Sequence, residues 1–451
     1  MNIHAIDPHA GDLLARIERR DAAVAILGLG YVGLPLLDAV ASAGFSVTGI
    51  DRDPDKIADL IQGRTYLPHL GEDLPARLND NPRVTLTHDR AQLEHVDIIL
   101  ICVPTPLHDD SHEPDLSAVD RAALDIRRYA IDRHPSRPRL VVLESTVYPG
   151  ATRERLLPAL AHPDTHNYIA HSPEREDPGN TQHTTRTIPK LIGPIDNISG
   201  KLAAAFYKQV VQHVVPCRTA EIAESAKLVE NIYRAVNIAL VNDLKGILGA
   251  MGIDIWEVLD AAATKPFGFQ RFDPGPGFGG HCVPIDPFYL AARAREFDIE
   301  TPFIELAGRI NRQMPIAIVA SARKVLRARG GRELSDASIL VLGIAYKKNI
   351  ADLRESPALE IIALLREYNA TVRYHDPHIP RTWPGRRHET ALTGIEWSEE
   401  NLREHDLVII VTDHDWYDWR FVATHAQHII DTRNAIRRNT GAEFLHKITL
   451  A

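Results

Sequence analysis

Residues 23–51, AVAILGLGYVGLPLLDAVASAGFSVTGID, decide the fold of the first part of this chain. The run AVAIL (23–27) is continuously apolar, which is typical of a parallel strand buried on both faces. A glycine-rich turn follows, then apolar residues at helical spacing over 34–43, and then a second strand-like run, FSVTGI (45–50). This order predicts a strand, a tight turn, a helix and a second parallel strand.

The same alternation continues and then recurs near the carboxyl end. Apolar strand-like runs occupy 96–103, 140–143 and 168–170, a helix-like segment occupies 116–130, and further candidates occupy 338–344 (strand), 358–368 (helix), 371–375 (strand) and 407–412 (strand). Helices are also expected at 220–251, which is long for a globular helix, and at 288–295. The pattern predicts an α/β protein with a parallel sheet covered by helices on both faces and a second α/β unit after residue 338, and the long helix could join two lobes or carry a dimer contact. We place the domains at 1–212, 213–325 and 326–451.

The glycine turn has the features of a dinucleotide-binding site. Gly28, Gly30 and Gly33 form GxGxxG between a strand and a helix, and Asp51 ends the next strand 23 residues after Gly28. The first glycine makes the turn, the second admits a pyrophosphate, and the third lets the helix pack on the strand. Asp51 would accept the ribose hydroxyls and favour NAD over NADP, although the neighbouring Arg52 could receive a 2′-phosphate. The alternative is a simple glycine turn followed by a surface aspartate.

Composition restricts the partners and the compartment. The 451-residue chain has a formal net charge of −9, which argues against a general nucleic-acid or anionic-membrane binder. Its three cysteines, Cys102, Cys217 and Cys282, cannot make a disulfide framework, and its 22 histidines show no metal-ligand spacing. Residues 1–21 lack a signal-peptide core, and no apolar run is long enough to span a bilayer. We therefore expect a cytoplasmic protein without a metal centre.

Cys282 is the cysteine with a candidate chemical role. A lone cysteine is usually a small buried hydrophobe, and Cys102 and Cys217 fit that interpretation. Cys282 instead lies in GFGGHCVPID (277–286), where dense glycines precede it and a carboxylate follows four residues later. This context favours a thiol presented for nucleophilic chemistry.

The long helix and a charged loop supply further candidates. Lys227, Glu230, Asn231 and Arg234 share one helix face, and the apolar residues Val229, Ile232, Tyr233, Val236 and Leu240 are expected to face the core. A polar helix face is ordinarily solvated, but Lys227 and Asn231 could also donate to a developing oxyanion. The loop SPEREDPG (172–179) is either a surface loop or the source of a general base.

Together these stretches resemble the nucleotide-sugar 6-dehydrogenases, the UDP-glucose/GDP-mannose dehydrogenase family. The matching segments, in family order, are GLGYVGLP (28–35), VPTP (103–106), ESTVYPG (144–150), SPEREDPGN (172–180), AKLVEN (226–231), PGPGFGGHCVPIDP (274–287) and GIAYKKNIADLRESP (343–357). The resemblance implies two Rossmann-like, doubly wound domains of the NAD-binding type joined by a long central helix. It also implies a homodimer and the four-electron oxidation of a sugar C6 alcohol to a carboxylate, with NAD as cofactor. The uronate product would serve surface-polysaccharide synthesis.

The resemblance also assigns roles to individual residues. It implies that Cys282 is the nucleophile, with Lys227, Asn231 and Asp286 as catalytic neighbours. It further implies that Glu174 and Thr146 manage a catalytic water, while the choice between Glu174 and Asp286 as the base stays open. The remaining cofactor contacts it implies are Tyr31, Val32, Thr105, Thr146 and Arg354, and the remaining substrate contacts are Arg175, Gly277, Phe278, Gly279 and Lys347. Either Lys265 or Arg271 would supply the cation that the family takes from a neighbouring subunit.

The motif variants narrow the expected substrate. SPEREDPGN and GGHCVPIDP are similar to the UDP-N-acetylhexosamine branch of the family, with UDP-N-acetylglucosamine favoured and UDP-glucose or UDP-N-acetylmannosamine as alternatives. Two other classes of protein share the cofactor motif. A two-electron hydroxyacid dehydrogenase would not need Cys282 with Lys227, and a non-catalytic nucleotide sensor could lose the cysteine loop.

Overall fold

The computed structural model describes residues 7–108, 113–177, 179–180, 182–280, 282–382 and 391–451. The strands in these ranges are β1 (Val24–Leu27), β2 (Val47–Ile50), β3 (Val84–Thr87), β4 (Ile98–Ile101), β5 (Arg139–Leu143), β6 (Asn167–His171), β7 (Lys190–Pro194), β8 (Val214–Pro216), β9 (Ser338–Leu342), β10 (Thr371–His375), β11 (Leu407–Ile410), β12 (Ile429–Asp431) and β13 (Ile448–Leu450). The α-helices are α1 (Pro8–Arg19), α2 (Gly33–Ser42), α3 (Pro54–Ile61), α4 (Leu74–Asp80), α5 (Ser117–Ile126), α6 (Leu157–Leu160), α7 (Asn197–Val210), α8 (Ala220–Ala250), α9 (Ile255–Ala262), α10 (Cys282–Arg295), α11 (Pro302–Gly330), α12 (Pro357–Glu367), α13 (Glu399–Glu404), α14 (Trp419–His425) and α15 (Ala435–Thr440).

The first sheet has eight strands in the order β3-β2-β1-β4-β5-β6-β7-β8. Every pairing in it is parallel except that of β6 with β7. Strands β1, β4 and β5 are buried along their whole length, as apolar parallel strands covered by helices should be. The α/β class expected from the sequence is confirmed, and the carboxyl ends of β1, β2 and β4 meet at one edge of the sheet.

The second sheet has five strands, all parallel, in the order β10-β9-β11-β12-β13. Its first turn repeats the geometry of the glycine turn after β1. Gly28 has a φ of +93° and donates its N–H to the carbonyl of Ile50, and Gly343 has a φ of +74° and donates to the carbonyl of His375. The second Rossmann-like region therefore begins with the same kind of strand-to-turn connection as the first.

Three helical features differ from the sequence expectation. Helix α10 begins at Cys282, six residues before the expected start at 288, because Pro284 falls in its first turn, where a missing N–H costs no hydrogen bond. Helix α11, with 29 residues, was not predicted; it ends where Gly331 adopts a left-handed conformation. The helix expected at 116–130 is α5 followed by a π-helical segment, Arg127–Ile131.

The apolar stripe of α8 is not a core face. Val229, Tyr233 and Leu240 are 57%, 47% and 50% exposed, so the expectation that they face the core is wrong. Lys227, assigned to the polar face, is instead buried. Alternation of polar and apolar residues gives the two faces of a helix but not which face the rest of the chain covers.

The chain divides into two compact units. The first comprises the described residues up to Glu230 together with Phe288–Ile299, and the second comprises Asn231–Pro287 with Glu300–Ala451. The main core of the first unit lies between its sheet and helices α1, α2 and α7, and includes Ile26, Leu37 and Phe206. No helix in the described part of the chain is long and apolar enough to cross a membrane. The three domain boundaries given above remain a prediction.

Candidate active site

Two of the three glycines in the turn after β1 lie against other backbone atoms, and the third faces open space. A Cβ on Gly28 would lie 2.6 Å from the carbonyl oxygen of Cys102, and a Cβ on Gly33 would lie 1.8 Å from the carbonyl oxygen of Gly28. A Cβ on Gly30 would meet no heavy atom within 4 Å. Gly30 therefore leaves open space at the amino end of α2. Helix N–H groups at such an end favour phosphate, so the turn fits a dinucleotide.

Asp51 supports this turn from the end of β2. Its Oδ2 accepts the N–H of Leu29 at 2.8 Å, its Oδ1 accepts the N–H of Asp53 at 3.0 Å, and Lys56 Nζ lies 3.6 Å from Oδ2. Asp51 is buried, whereas Arg52 is exposed. The structure thus shows a bracing role for Asp51; its recognition of the ribose stays a prediction.

The other predicted cofactor residues lie at several places along the described chain. Tyr31 stacks on His69 with ring centroids 5.2 Å apart, and Val32 caps the amino end of α2. Thr105 is buried after β4, where its carbonyl accepts the Tyr289 hydroxyl at 2.9 Å. Two further residues complete the set: Thr146 is half-buried after β5, and Arg354 pairs with Asp352 at 2.7 Å.

Glu174 belongs to a buried polar cluster beyond the end of β6. Its Oε1 accepts the backbone N–H groups of Arg175 and Glu176 at 2.7 and 2.8 Å. Its Oε2 accepts from Lys190 Nζ at 3.0 Å, and Lys190 Nζ also donates to Glu144 at 2.5 Å. Backbone and side-chain donors among the described residues thus hold both oxygens of the Glu174 carboxylate.

Opposing effects set the ionisation of this cluster. Burial alone would raise the pKa of Glu174, but the ammonium groups of Lys190 and Lys227 and the N–H of Arg175 bring its pKa below the usual value. Burial raises the pKa of Glu144. Burial would lower the pKa of Lys190, but its two carboxylate partners raise that pKa above the usual value. The donors around Glu174 therefore favour its carboxylate form, whereas burial opposes the charge of Glu144.

Lys227 and Arg175 both contact the SPEREDPGN loop, although Pro178 lies outside the described residues. Lys227 Nζ donates to the carbonyl oxygen of Glu174. The Arg175 guanidinium makes a two-point ion pair with Glu230 on α8, at 2.5 and 3.1 Å, and donates to the carbonyl of Pro189 at 2.8 Å. Arg175 thus ties the loop to α8, and substrate contact by Arg175 stays a prediction.

Cys282 and Asp286 occupy the first and second turns of α10. Cys282 is the first helical residue, at the positive end of the helix dipole, which stabilises a negative group such as a thiolate. Asp286 is buried, and its Oδ2 accepts from the Asn231 side chain at 2.7 Å. The structure therefore brings the predicted neighbours Asn231 and Asp286 together; His281 lies outside the described residues.

The cysteine loop packs against the GIAYKKNIADLRESP segment. The Gly280 N–H donates to the carbonyl of Arg354 at 2.8 Å, and a Cβ on Gly279 would lie 2.6 Å from the Cβ of Tyr346. Gly277, with a φ of +115°, has the carbonyl oxygen of Asn311 2.9 Å from its ideal Cβ position. The loop therefore needs glycine at these places, and two motifs far apart in sequence become neighbours.

The remaining predicted substrate residues differ in exposure. Phe278 and Lys347 are half-buried. Lys265 is exposed, with its ammonium 5.0 Å from the centre of the Phe267 ring. Arg271 is paired with Asp260 and Asp273 at 2.5 and 2.8 Å. Of the two cations left open by the sequence, Arg271 is thus held by two carboxylates, and Lys265 lies near an aromatic ring.

Sequence reasoning missed the partners of Glu174. Glu144 was quoted within ESTVYPG but given no role, and Lys190 and Tyr207, whose hydroxyl donates to Glu144, were not considered. Glu224 was missed too; it accepts the N–H groups of Gly150 and Thr152 at 2.6 and 2.9 Å. One signal was available: Lys190 opens the apolar strand KLIGP, and a charge on a buried strand needs a counter-charge.

Comparison with known proteins matches three consecutive regions to one family. The models of the NAD-binding, central and UDP-binding domains of the UDP-glucose/GDP-mannose dehydrogenase family match residues 22–211, 221–313 and 340–438. The chain is 33% identical to the UDP-N-acetyl-D-mannosamine dehydrogenase of Pyrococcus horikoshii, over 92% of this chain and 96% of that protein. It is 32% identical to the UDP-N-acetyl-D-glucosamine 6-dehydrogenase of Pseudomonas aeruginosa, over 80% and 84% of the two chains.

A solved structure confirms the fold. The UDP-glucose dehydrogenase of the archaeon Pyrobaculum islandicum superposes with a TM-score of 0.80 and 27% identity, covering 95% of this chain and 96% of that one. The family matches span most of the chain and include the glycine turn, the long helix and the cysteine loop. The chain therefore belongs to the UDP-glucose/GDP-mannose dehydrogenase family and is an NAD-dependent UDP-sugar dehydrogenase.

Proposed function

We propose that this enzyme oxidises the C6 hydroxymethyl group of a UDP-N-acetylhexosamine to the carboxylate, with UDP-N-acetylglucosamine as the preferred substrate. The observation that carries the four-electron reaction is the placement of Cys282 at the amino end of α10, where a thiolate is favoured. A two-electron hydroxyacid dehydrogenase needs no thiol there. A sensor protein needs neither that thiol nor a buried, ionised Glu174.

Each residue has a distinct task in this reaction. Bound NAD would supply the hydride acceptor for the oxidations at C6, and a water or Lys227 would accept the proton of the C6 alcohol in the first of them. The Cys282 thiolate adds to the C6 aldehyde, and Lys227 and Asn231 donate hydrogen bonds to the oxyanion of the thiohemiacetal. Loss of a second hydride leaves a thioester on Cys282.

The final step is hydrolysis of the thioester. A water oxygen bonds to the C6 carbonyl carbon, its proton passes to a carboxylate, and the carbon–sulfur bond breaks to release Cys282 as the thiolate. We assign the base to Glu174, because its surroundings favour the carboxylate, which is the form that can accept a proton. Asp286 accepts from Asn231 and would keep that amide aimed at the oxyanion. Thr146 would help to position the water.

The sugar specificity is supported by the motif variants and by the relatives. SPEREDPGN and GGHCVPIDP favour the N-acetylhexosamine branch, and the Pseudomonas relative is named for UDP-N-acetyl-D-glucosamine. UDP-N-acetylmannosamine is the second candidate, because the Pyrococcus relative of similar identity is named for that sugar. The uronate would enter surface-polysaccharide synthesis in the cytoplasm.

A homodimer completes the proposal. The exposed apolar residues Val229, Tyr233, Leu240 and Ile247 recur along α8, and a second copy of the chain covering them would bury this stripe. Lys265 or Arg271 would then act from the neighbouring subunit.

The experiment is a substrate panel with NAD, in which kcat/KM is compared for UDP-N-acetylglucosamine, UDP-N-acetylmannosamine, UDP-N-acetylgalactosamine, UDP-glucose and GDP-mannose. We expect UDP-N-acetylglucosamine to be the best substrate and a uronate to be the product. Efficient turnover of UDP-glucose with no turnover of any N-acetyl sugar would reject the assignment. A higher kcat/KM for UDP-N-acetylmannosamine would select the second candidate.

A further inference from the structure

We propose that Lys190 and Glu144 are positioning residues for hydrolysis of the enzyme-bound acyl group. These two buried residues keep Glu174, the base, ionised and fix the direction of its carboxylate. This inference rests on the role of Glu174 in the proposed function. It adds two buried residues that would govern one chemical step through their contacts with Glu174 and with each other.

The geometry is a chain of direct contacts inside the first unit. Lys190, the first residue of β7, donates from one Nζ to Glu174 Oε2 at 3.0 Å and to Glu144 Oε2 at 2.5 Å. The second oxygen of Glu144 accepts the hydroxyl of Tyr207, on α7. Lys190 and Glu144 are 4% and 0% exposed, so water does not screen these interactions.

Three separate elements supply the chain. Glu144 follows β5, Glu174 follows β6 and Lys190 is the first residue of β7. Because these strands are neighbours in the sheet, the three residues lie at the same edge of it. A lysine tethered to Glu144 cannot swing away from Glu174 without leaving Glu144 as an uncompensated buried charge. Glu144 thus fixes the place of the ammonium, and the ammonium fixes the ionisation and direction of Glu174.

Other charged and titratable groups face this cluster from every side. They are Lys227 on α8, Glu176 and Arg175 on the Glu174 loop, His171 at the end of β6, Cys102 beyond β4, and Tyr207 on α7. Burial, together with Lys227 and Lys190, lowers the pKa of His171 to about 3, so His171 is neutral. Burial and the charge of Glu174 raise the pKa of Glu176 to about 9. Lys227 also lowers the pKa of Glu174, and its Nζ donates to the carbonyl oxygen of the same residue.

Loss of the Lys190 ammonium should therefore raise the pKa of Glu174. Burial is the largest single influence on that carboxyl group and acts to raise its pKa. An opposite charge in contact typically lowers a carboxyl pKa by about 1 to 3 units, so removal of the charge should return a shift of that size. As the pH falls, the base would then become protonated earlier than in the parent enzyme, and the thioester would accumulate in that pH range.

The test compares two neutral replacements with the parent enzyme. Lys190→Met removes the ammonium alone, and the Lys190→Met/Glu144→Gln pair removes one positive and one negative charge, so the double variant should fold even where the single one does not. Folding is checked by thermal melting and by NAD binding. The control is Lys201→Met, an exposed lysine on α7.

Rapid mixing with UDP-N-acetylglucosamine and excess NAD separates the steps. The folded variants should form close to two NADH per active site in a burst and then turn over more slowly than the parent, by about tenfold for each unit that the acid limb moves when both are compared at a pH below that limb. Mass spectrometry should show the acyl group on Cys282. The acid limb of the kcat–pH profile should move about 1 to 3 units to higher pH in Lys190→Met, and by less in the double variant, because loss of the Glu144 charge lowers the pKa of Glu174; Lys190→Arg should show the parental limb.

The outcomes are distinct. A folded double variant with the parental kcat–pH profile and no acyl-enzyme would overturn the proposal. Equal slowing of NADH formation and hydrolysis, with an unmoved pH profile, would also overturn it, because that result describes general structural damage. If instead the parent and Lys201→Met both fail to make a uronate from any UDP-sugar, the proposed function itself has failed.

Discussion

Two alanine substitutions in the glycine turn should separate its structural role from its cofactor role. In Gly33→Ala, the new methyl group would lie 1.8 Å from the carbonyl oxygen of Gly28 and 3.2 Å from the Cβ of Cys102. Neither β1 nor α2 can yield without disturbing buried packing. In Gly30→Ala, the methyl group would meet nothing within 4 Å, so the fold itself should accept it.

The magnitudes follow from these contacts. Overpacking of a buried site costs about 1 to 3 kcal/mol, and a methyl group forced onto a backbone carbonyl belongs at the upper end, about 3 kcal/mol. For a unit of this size each kcal/mol lowers Tm by about 2–4 °C, so Gly33→Ala should melt roughly 6–12 °C below the parent. Gly30→Ala should melt within about 2 °C of the parent, since its unfavourable contacts in the free enzyme are few.

Calorimetric titration with NAD gives the second measurement. The Gly30 methyl group would occupy the space through which the pyrophosphate approaches α2, so NAD affinity should fall about tenfold or more, which is about 1.4 kcal/mol. Parental NAD affinity in Gly30→Ala would show that this turn does not hold the cofactor. A parental Tm in Gly33→Ala would refute the packing argument.

Three further predictions use other parts of the molecule. Cys282→Ser should abolish uronate formation while NAD binding persists. Cys102→Ala should keep its activity and lose about 1 kcal/mol of unfolding free energy. Formation of uronate by Cys282→Ala at the parental rate would remove the thiol from the mechanism. Asp51→Ala should narrow the preference for NAD over NADP in kcat/KM, and a parent that prefers NADP would assign that pocket to Arg52. The folded-state pKa of about 3 for His171 lies below its ordinary 6.5, so the unfolded chain binds the extra proton and stability should fall as pH drops from about 6.5 toward 3. His171→Gln should flatten that decline in urea unfolding, and an unchanged slope would place the acid sensitivity elsewhere.

Local pattern allowed much of the first sheet to be predicted. Strand β1, the glycine turn and α2 are specified within about twenty residues, by a run of apolar side chains, by glycines with distinct packing demands and by helical spacing. The close contacts at Gly28 and Gly33 confirm the packing reasons given for those glycines. Strand β10 has the predicted bounds for the same reason.

Features that depend on what covers a segment could not be predicted. The spacing of apolar residues along α8 was predicted, but it did not indicate that Val229 and Leu240 would be exposed in the single chain. The Glu144–Lys190 contact joins residues 46 positions apart, and no local pattern indicates which distant strand brings the counter-charge. Helix α10 begins early, with Pro284 in its first turn. A proline can mark either the start or the end of a helix, so the sequence alone does not give this boundary.

The central claim is that one thiol-bearing site performs both oxidations, and the most direct test is the ratio of NADH to uronate. UDP-N-acetylglucosamine is converted to completion with excess NAD, NADH is read by absorbance, and uronate and any aldehyde are quantified by chromatography and mass spectrometry. The account predicts two NADH for each uronate and no released aldehyde. One NADH for each sugar, with free aldehyde in solution, would contradict it.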